Sequence, residues 1–405
     1  MKRCLPGHSL CNLKKRAGRN FSVIDSQQKT KVATYKLTLR AKPEKTANDP
    51  TPNEPGSREL KTAVWGSGAI GGVVGAGIAA AGEDVLLVDI VPEHVSAMNE
   101  HGLLIKSATG EQRVPVRAAL PEQVRGKLDL VFLGVKSQHT HAALAALLPF
   151  LTPESAVISL QNGVNEPHIA QRVGATRTIG CLVDFSADYH APGEIMRARA
   201  GNLFIGEMDG RMSPRLAEIH RLCAFSTRTH SCKNIMGFVW AKMCKATVDS
   251  MTALVDHNSL ELRADQTYHP VRIQLLREAI KVAAASGVRV EVFAHFDPAP
   301  FLDTSPEGFA AAYATLDGMA HGQAQGNTKV RTGYFRDIVV RKRKSEIDHI
   351  SGEIMRRGEQ FGIPTPVNRL QMQMFEEIES GRRALGWENL ATLKATVAAM
   401  RANTA

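Results

Sequence analysis

Gly66-Ser-Gly-Ala-Ile-Gly71 is the segment that most constrains what this chain can fold into. It follows Thr62-Ala-Val-Trp65, an apolar run that reads as a short buried strand. It precedes small residues from Val73 to Ala79 that read as a helix stopping at Gly82. A second strand, Asp84–Asp89, comes next, and Asp89 stands 18 positions past the last glycine. In that strand–turn–helix–strand setting, G-x-G-x-x-G is the fingerprint of a βαβ unit that binds a dinucleotide. Gly66 permits the tight turn, Gly68 lets backbone approach a pyrophosphate, and Gly71 lets helix pack on strand. Residues Gly66, Ser67, Gly68, Ala69, Ile70 and Gly71 are thus the expected cofactor loop, with a helix N-terminus offering unpaired N–H groups to phosphate. The Asp89 carboxylate can accept from both ribose hydroxyls and would repel a 2′-phosphate, so NAD(H) is expected over NADP(H).

The alternation continues beyond this unit. Leu128–Val135 reads as a strand, Thr140–Phe150 as a helix and Ala156–Leu160 as a strand, which predicts a doubly wound parallel sheet. Near Thr229 the pattern changes, and from Asn234 it is mostly helical, with long stretches at Phe238–Val255 and Val271–Ser286. Ser345–Phe361 reads as another helix, opened by a Ser345-x-x-Asp348 capping box. The expected fold is α/β: a Rossmann-type domain over 61–232 and an all-helical domain over 233–405. Residues 1–60 form a third, basic segment. They carry 13 of the 50 Lys+Arg but only 5 of the 40 Asp+Glu, so +8 of the formal +10 sits there. Its Pro- and Asn-rich end resists packing, and a disordered tail is expected, with a mitochondrial presequence as the alternative. The body is nearly neutral, which argues against a nucleic-acid partner.

Two further loops close predicted strands where doubly wound folds hold ligands. Val135-Lys136-Ser137 places a lysine that could meet phosphate or ribose. Gln161-Asn162-Gly163 places an amide that could hydrogen-bond near a nicotinamide. Taken alone, each could equally be a solvated lysine or an ordinary Asn-Gly turn.

With these pieces in this order, the chain resembles the ketopantoate reductase (2-dehydropantoate 2-reductase) family. The matching residues are Gly66–Gly71, Val135–Ser137, Gln161–Gly163, Asn234-Ile with Trp240-Ala-Lys242, Ser345–Gly352 and Gly362–Asn368. The resemblance implies a helical domain like that of 6-phosphogluconate dehydrogenase, with the active site in the cleft between the domains. It implies NAD(P)H-dependent reduction of a small 2-oxo acid, 2-dehydropantoate to pantoate, feeding pantothenate synthesis. Lys242 corresponds to the family's catalytic lysine, Glu346 to its active-site glutamate, and Lys136 and Asn162 to cofactor- and substrate-side contacts. Lys242, Ser250 and Glu346 would meet the substrate. The residues agree on Lys242: it lies off the apolar stripe of Trp240, Met243, Thr247, Met251 and Leu254, and a placed ammonium can protonate a developing alkoxide.

The chain also departs from the family pattern. Ala246 and Ser250 stand where the family carries asparagines, with Asp249 adjacent. Gly333-Tyr334 replaces a serine ahead of Asp337, and an insertion is expected within Glu291–Gly326. Two other readings therefore stay open. One is a dehydrogenase of another oxo-acid, of opine or 3-hydroxyacid type; the other is a dinucleotide-binding redox sensor without turnover.

Other signals are set aside. His220-x-x-Cys223…His230-x-Cys232 has no standard zinc spacing, and His139-x-His141 sits at a helix start, so no metal is expected. Arg341–Lys344 reads as a solvated turn. Six cysteines are too few for a disulfide scaffold and no apolar run reaches the ~18 residues of a membrane span; with no apolar stretch after the basic start, a secretory signal is not expected. A cytoplasmic enzyme is expected, and the resemblance implies a homodimer.

Overall fold

The computed structural model describes residues 61–324 and 330–402, so the expected basic tail lies outside the described residues, as does the end of the expected insertion. β1 (Thr62–Trp65), α1 (Ala69–Ala80) and β2 (Val85–Val88) form the unit the glycines predict. α2 (Pro92–His101) leads into β3 (Leu103–Ser107), β4 (Gly110–Val114) and β5 (Arg117–Ala119). The alternation resumes with β6 (Leu128–Leu133), α3 (Thr140–Leu147), β7 (Leu151–Ser159), α4 (Glu166–Val173) and β8 (Thr178–Val183). β9 (Ser186–Ala191), β10 (Glu194–Arg199), β11 (Asn202–Glu207), α5 (Pro214–Ala224) and β12 (Arg228–Ser231) complete this half.

The main sheet runs β12-β11-β8-β7-β6-β1-β2-β5. From β5 to β8 all neighbours are parallel, whereas β11 is antiparallel to β8 and β12 follows β11. The strand period of two divides the side chains between two cores. Val64, Leu87, Phe132 and Ile158 pack with Val74 and Ile78 of α1 and Ile219 of α5. Ala63, Trp65, Val131 and Val157 pack with Leu144 of α3 and Ile169 of α4 on the opposite face. Burial on both faces is why these strands are continuous apolar runs rather than alternating ones. A second sheet, β4-β3-β10-β9, lies over α1: a Cβ on Gly72 would run into Ile195 of β10.

Among the described residues the other half is helical apart from one isolated bridge between Phe293 and Phe296. It comprises α6 (Ile235–Met251), α7 (Ser259–Ala264), α8 (His269–Ala285), the short α9 (Ala299–Leu302), α10 (Pro306–Ala324), the one-turn α11 (Gly333–Phe335), α12 (Ser351–Phe361), α13 (Pro366–Glu379) and α14 (Trp387–Ala402). Asn234 caps α6, its side chain accepting from Gly237 N–H at 3.1 Å. Two sequence expectations need correction. α3 stops at Leu147 and passes into a 3₁₀ turn containing Pro149, whose ring cannot continue the helix. Ser345–Phe361 is not one capped helix: Ile347–His349 is a separate 3₁₀ turn, and Ile350, at φ −114° and ψ −88°, breaks the chain before α12. Ser345 Oγ donates instead to Glu379 Oε1 at 2.7 Å, and Asp348 pairs with Arg356 at 2.8 Å. That break leaves Glu346 on a separate turn ahead of α12.

Candidate active site

The glycine loop is built by close packing of backbone. Gly66 has φ +92°, and a Cβ on it would stand 2.6 Å from the backbone nitrogen of Val135. A Cβ on Gly71 would run into the Gly66 carbonyl. At Gly68, the N-cap of α1, a Cβ would meet no protein atom within 4 Å, so this face of the loop is open. The N–H groups of Ala69, Ile70 and Gly71 begin α1 and have no intrahelical partner. No acidic side chain lies in that first turn. An open approach at the one glycine, beside unpaired donors, fits a dinucleotide pyrophosphate. Ser67 requires a correction. It is fully buried, and both its N–H and its hydroxyl donate to Val88 O, at 3.1 Å each. It ties the loop to β2 instead of facing a ligand. Asp89, directly after β2, is partly exposed, and its Oδ1 accepts from Val91 N–H at 3.2 Å.

The two strand-end loops are locked to each other. Gln161 donates to Val135 O at 2.9 Å and to Thr140 Oγ1 at 2.7 Å. Ser137 Oγ donates to Asn162 O at 2.7 Å, and Asn165 Nδ2 donates to the same carbonyl at 2.6 Å. Gly163, at φ +83°, touches the helical half, where a Cβ would stand 2.9 Å from His349 O. This close approach brings the Glu346 turn against the Asn162 loop.

Lys242, Asn162 and Glu346 meet as a result. Lys242 Nζ donates to Asn162 Oδ1 at 2.8 Å and to Val183 O at 2.6 Å, while Asn162 Nδ2 donates to Glu346 Oε2 at 3.4 Å. Asn162 is therefore the bridge between the ammonium and the carboxylate, a role its spacing did not suggest. Burial lowers the Lys242 pKa from the usual lysine range; Asp184 and Glu346 oppose that, and Arg199 adds to it. An ammonium so placed is a better proton donor than a surface lysine.

Lys136 goes elsewhere. Its Nζ lies 3.3 Å from Oδ2 of Asp337, at the start of a π-helical turn, Arg336–Val340. Ser250 is fully buried and donates to Thr247 O at 2.9 Å, so its hydroxyl is spent inside α6. It does not join the Lys242 group, whereas Ala246 on the same helix is partly exposed. Tyr334 is also partly exposed, and its phenol is pushed up by burial and by the charges of Glu346 and Asp249. The Arg341–Lys344 run is not merely solvated, because Arg341 and Arg343 both turn back onto Asp337 Oδ1, at 2.7 and 2.8 Å.

Sequence reasoning missed two buried groups. His94 of α2 is fully buried: Gly193 N–H donates to its Nδ1 at 2.9 Å, so Nε2 carries the proton and donates to Ser67 O at 3.1 Å. It clamps the glycine loop to the β9–β10 hairpin. Nothing local marks it, since a histidine inside an amphipathic helix carries no periodic signal. Glu166 opens α4 and is also buried, and desolvation raises its carboxyl to about 7. His220, Cys223, His230 and Cys232, set aside above as a metal site, face other partners. His220 bonds Ser231, His230 stacks on Phe204, and Cys223 and Cys232 are buried thiols. Among the described residues, no three potential metal ligands cluster and no helix is long and apolar enough to cross a membrane.

Comparison with known proteins agrees with this geometry. Residues 62–210 match the family described as ketopantoate reductase PanE/ApbA, and residues 234–379 match its C-terminal domain. A 2-dehydropantoate 2-reductase of Pyrococcus abyssi is 27% identical over 317 residues, covering 77% of this chain and 95% of that protein. One of Archaeoglobus fulgidus is 26% identical, covering 80% and 99%. Among solved structures, a PanE/ApbA family ketopantoate reductase from Ralstonia eutropha superposes with a TM-score of 0.66 at 27% identity, covering 80% of this chain and 100% of that one. D-mandelate dehydrogenase, solved with NADH and anilino(oxo)acetate, gives 0.67 at 23% identity over the same shares and attests the fold alone. The glycine loop, the locked strand ends and the Lys242–Asn162–Glu346 group thus lie within matched segments that span both halves: the chain belongs to the ketopantoate reductase family.

Proposed function

We propose that this oxidoreductase reduces a small 2-oxo acid with NAD(P)H, and that the acid is 2-dehydropantoate, giving pantoate for pantothenate synthesis. The observation that carries this reading is the Lys242 ammonium, partly desolvated and bridged through Asn162 to Glu346, with the Asn162 loop locked to the Val135 loop that packs against Gly66. Gly66–Gly71 would hold the dinucleotide, which when bound would supply the hydride for the ketone carbon. As the carbonyl oxygen gains charge, Lys242 donates its proton to that oxygen, and the positive charge stabilises the oxyanion before the transfer is complete. Asn162 Oδ1 fixes the direction of the Nζ–H bonds. Glu346 receives a hydroxyl of the substrate or holds the amide that orients Lys242. Neutral Lys242 then regains a proton from solvent. Asp89 favours NADH over NADPH through its charge at the ribose site.

A second substrate reading rests on a specific observation. Beyond Lys242, α6 offers the methyl of Ala246 and no free Ser250 hydroxyl, while Tyr334 stands near Glu346. Such a wall suits a more apolar oxo-acid. Initial rates over a panel of oxo-acids, each with NADH and NADPH, decide between the two. Highest kcat/KM with 2-dehydropantoate and NADH supports the first reading, and a preference of tenfold or more for an aromatic or aliphatic oxo-acid without a hydroxyl supports the second. Tight NADH binding without oxidation by any oxo-acid would leave a sensor. The buried, unpaired thiols at Cys181, Cys223, Cys232 and Cys244 suit a reducing compartment, and we place the reaction in the cytoplasm. A homodimer is the assembly the resemblance implies, to be read by sedimentation.

A further inference from the structure

We propose that Arg341 and Arg343 of the helical half, together with Lys136, form an anion clamp for the pyrophosphate of the bound dinucleotide. The proposal rests on the dinucleotide reading above. Its first observation is charge. One carboxylate, Asp337, receives Lys136 Nζ at 3.3 Å, Arg341 at 2.7 Å and Arg343 through both Nε at 3.0 Å and a terminal nitrogen at 2.8 Å. Three cations on one anion leave an excess of +2. Asp188 joins the cluster through Arg336 at 3.2 Å and Arg341 at 4.0 Å, which adds one charge of each sign and keeps the excess. A dinucleotide pyrophosphate carries two negative charges.

The second observation is position. Lys136 directly follows Val135, whose backbone nitrogen packs against Gly66, so the cluster is anchored within one residue of the glycine turn. The turn itself offers only N–H groups, with no basic side chain between Gly66 and Gly71. Countercharge must come from another part of the chain. The carboxylate is buried at 6% side-chain exposure, whereas the three cations remain open at 36–46%. Partly open guanidinium groups can therefore turn from Asp337 to phosphate oxygen without leaving the carboxylate unpaired.

The third observation is backbone strain. Lys342 holds φ at +51°, a left-handed conformation costly for a residue with a Cβ. That reversal lets Arg341 and Arg343 point to the same atom, while Lys342 itself is exposed. Strain held where two side chains converge is the pattern of a ligand clamp. Because the arginines and the glycine loop belong to different halves, the clamp would also draw the cleft together around the cofactor.

NADH titrations on the full chain, followed by fluorescence at two salt concentrations, test this. Arg343→Gln and Arg341→Gln should each raise the NADH Kd about tenfold and flatten its salt dependence, with oxo-acid KM at saturating NADH within twofold of wild type. Arg343→Lys keeps the charge and should stay within about threefold of wild type. Equal loss in Arg343→Lys and Arg343→Gln would mean a structural fork on Asp337 and overturn the clamp. An unchanged NADH Kd would do so too, as would an effect confined to oxo-acid KM, which would assign the cations to the substrate. Wild-type protein that binds no NADH would instead defeat the dinucleotide reading itself.

Discussion

The glycine loop and Lys242 lie in different halves of the molecule, and the two regions are stabilised in opposite ways. The loop is backbone against backbone: Gly66 on Val135, Gly71 on the Gly66 carbonyl, and Ser67 and His94 tying the turn to β2 and the β9–β10 hairpin. It bears no charge of its own, and packing that favours the fold also shapes the site. The Lys242 group is side chain against side chain, drawn from three distant stretches of chain, and it holds an ammonium partly out of water. There, burial suits the chemistry and works against stability. A binding loop can be fold and site at once, whereas a proton donor has to be supported by the fold around it.

The largest expected effect tests the chemical side. Lys242→Met should lower kcat by about 10³-fold while leaving the NADH Kd within threefold of wild type, because proton donation and oxyanion stabilisation vanish together. Single-turnover rates and NADH titration check this, and a kcat within threefold of wild type would remove Lys242 from the mechanism. Next comes the binding side. Gly71→Ala drives a methyl group into the Gly66 carbonyl and to 2.9 Å from Val64 Cγ1, so the turn must open. An NADH Kd raised about 100-fold is expected, with a stability loss of about 1–3 kcal/mol in denaturant melts. Wild-type affinity in a folded Gly71→Ala protein would show that the tight turn is dispensable.

A smaller effect belongs to the clamp on the loop. His94→Ala leaves the Ser67 carbonyl and the Gly193 N–H buried without their partner, costing about 1–3 kcal/mol of stability. The NADH Kd should rise about fivefold, by loss of a share of one such bond's energy, with kcat at saturating NADH within twofold. If kcat fell while Kd held, the division between a binding loop and a chemical group would not follow the two halves of the molecule.

These two regions were not equally legible in the sequence. The βαβ unit declared itself because turn, helix start and strand end lie within 30 residues, and local spacing encodes all three. Spacing puts Ser67 in the binding loop, but its bonds to Val88 depend on where β2 passes, which spacing does not encode. Lys242 and Glu346 could be singled out only by resemblance, since 104 positions separate them and their meeting depends on the break at Ile350 and the bare backbone of Gly163. The same break defeated the capping-box reading of Ser345–Asp348. The β3-β4-β9-β10 sheet escaped as well, because its strands come from two stretches some 80 residues apart. The arginines on Asp337 passed for a solvated turn, for a run of charge does not reveal that one lysine turns left-handed and aims its neighbours at a common carboxylate.

The smallest expected effect is also the one that most directly separates the two regions. Lys242 has a lowered pKa in the folded chain, so between that value and the ordinary lysine value of about 10.4 the unfolded chain binds more protons. Stability therefore rises with pH through that window, and below it the charged lysine works against the fold. Methionine fills much the same stem without a charge. The acceptors left behind are Val183 O and the side chain of Asn162, an exposed residue that water can reach. Lys242→Met should melt about 2 °C above wild type at pH 7, with the difference closing as pH approaches 10. Gly71→Ala should melt lower at every pH. If Lys242→Met melted lower at pH 7, or if its difference from wild type were the same at pH 7 and pH 10, the ammonium would be no burden on the fold, and the contrast between the two regions would reduce to one of geometry.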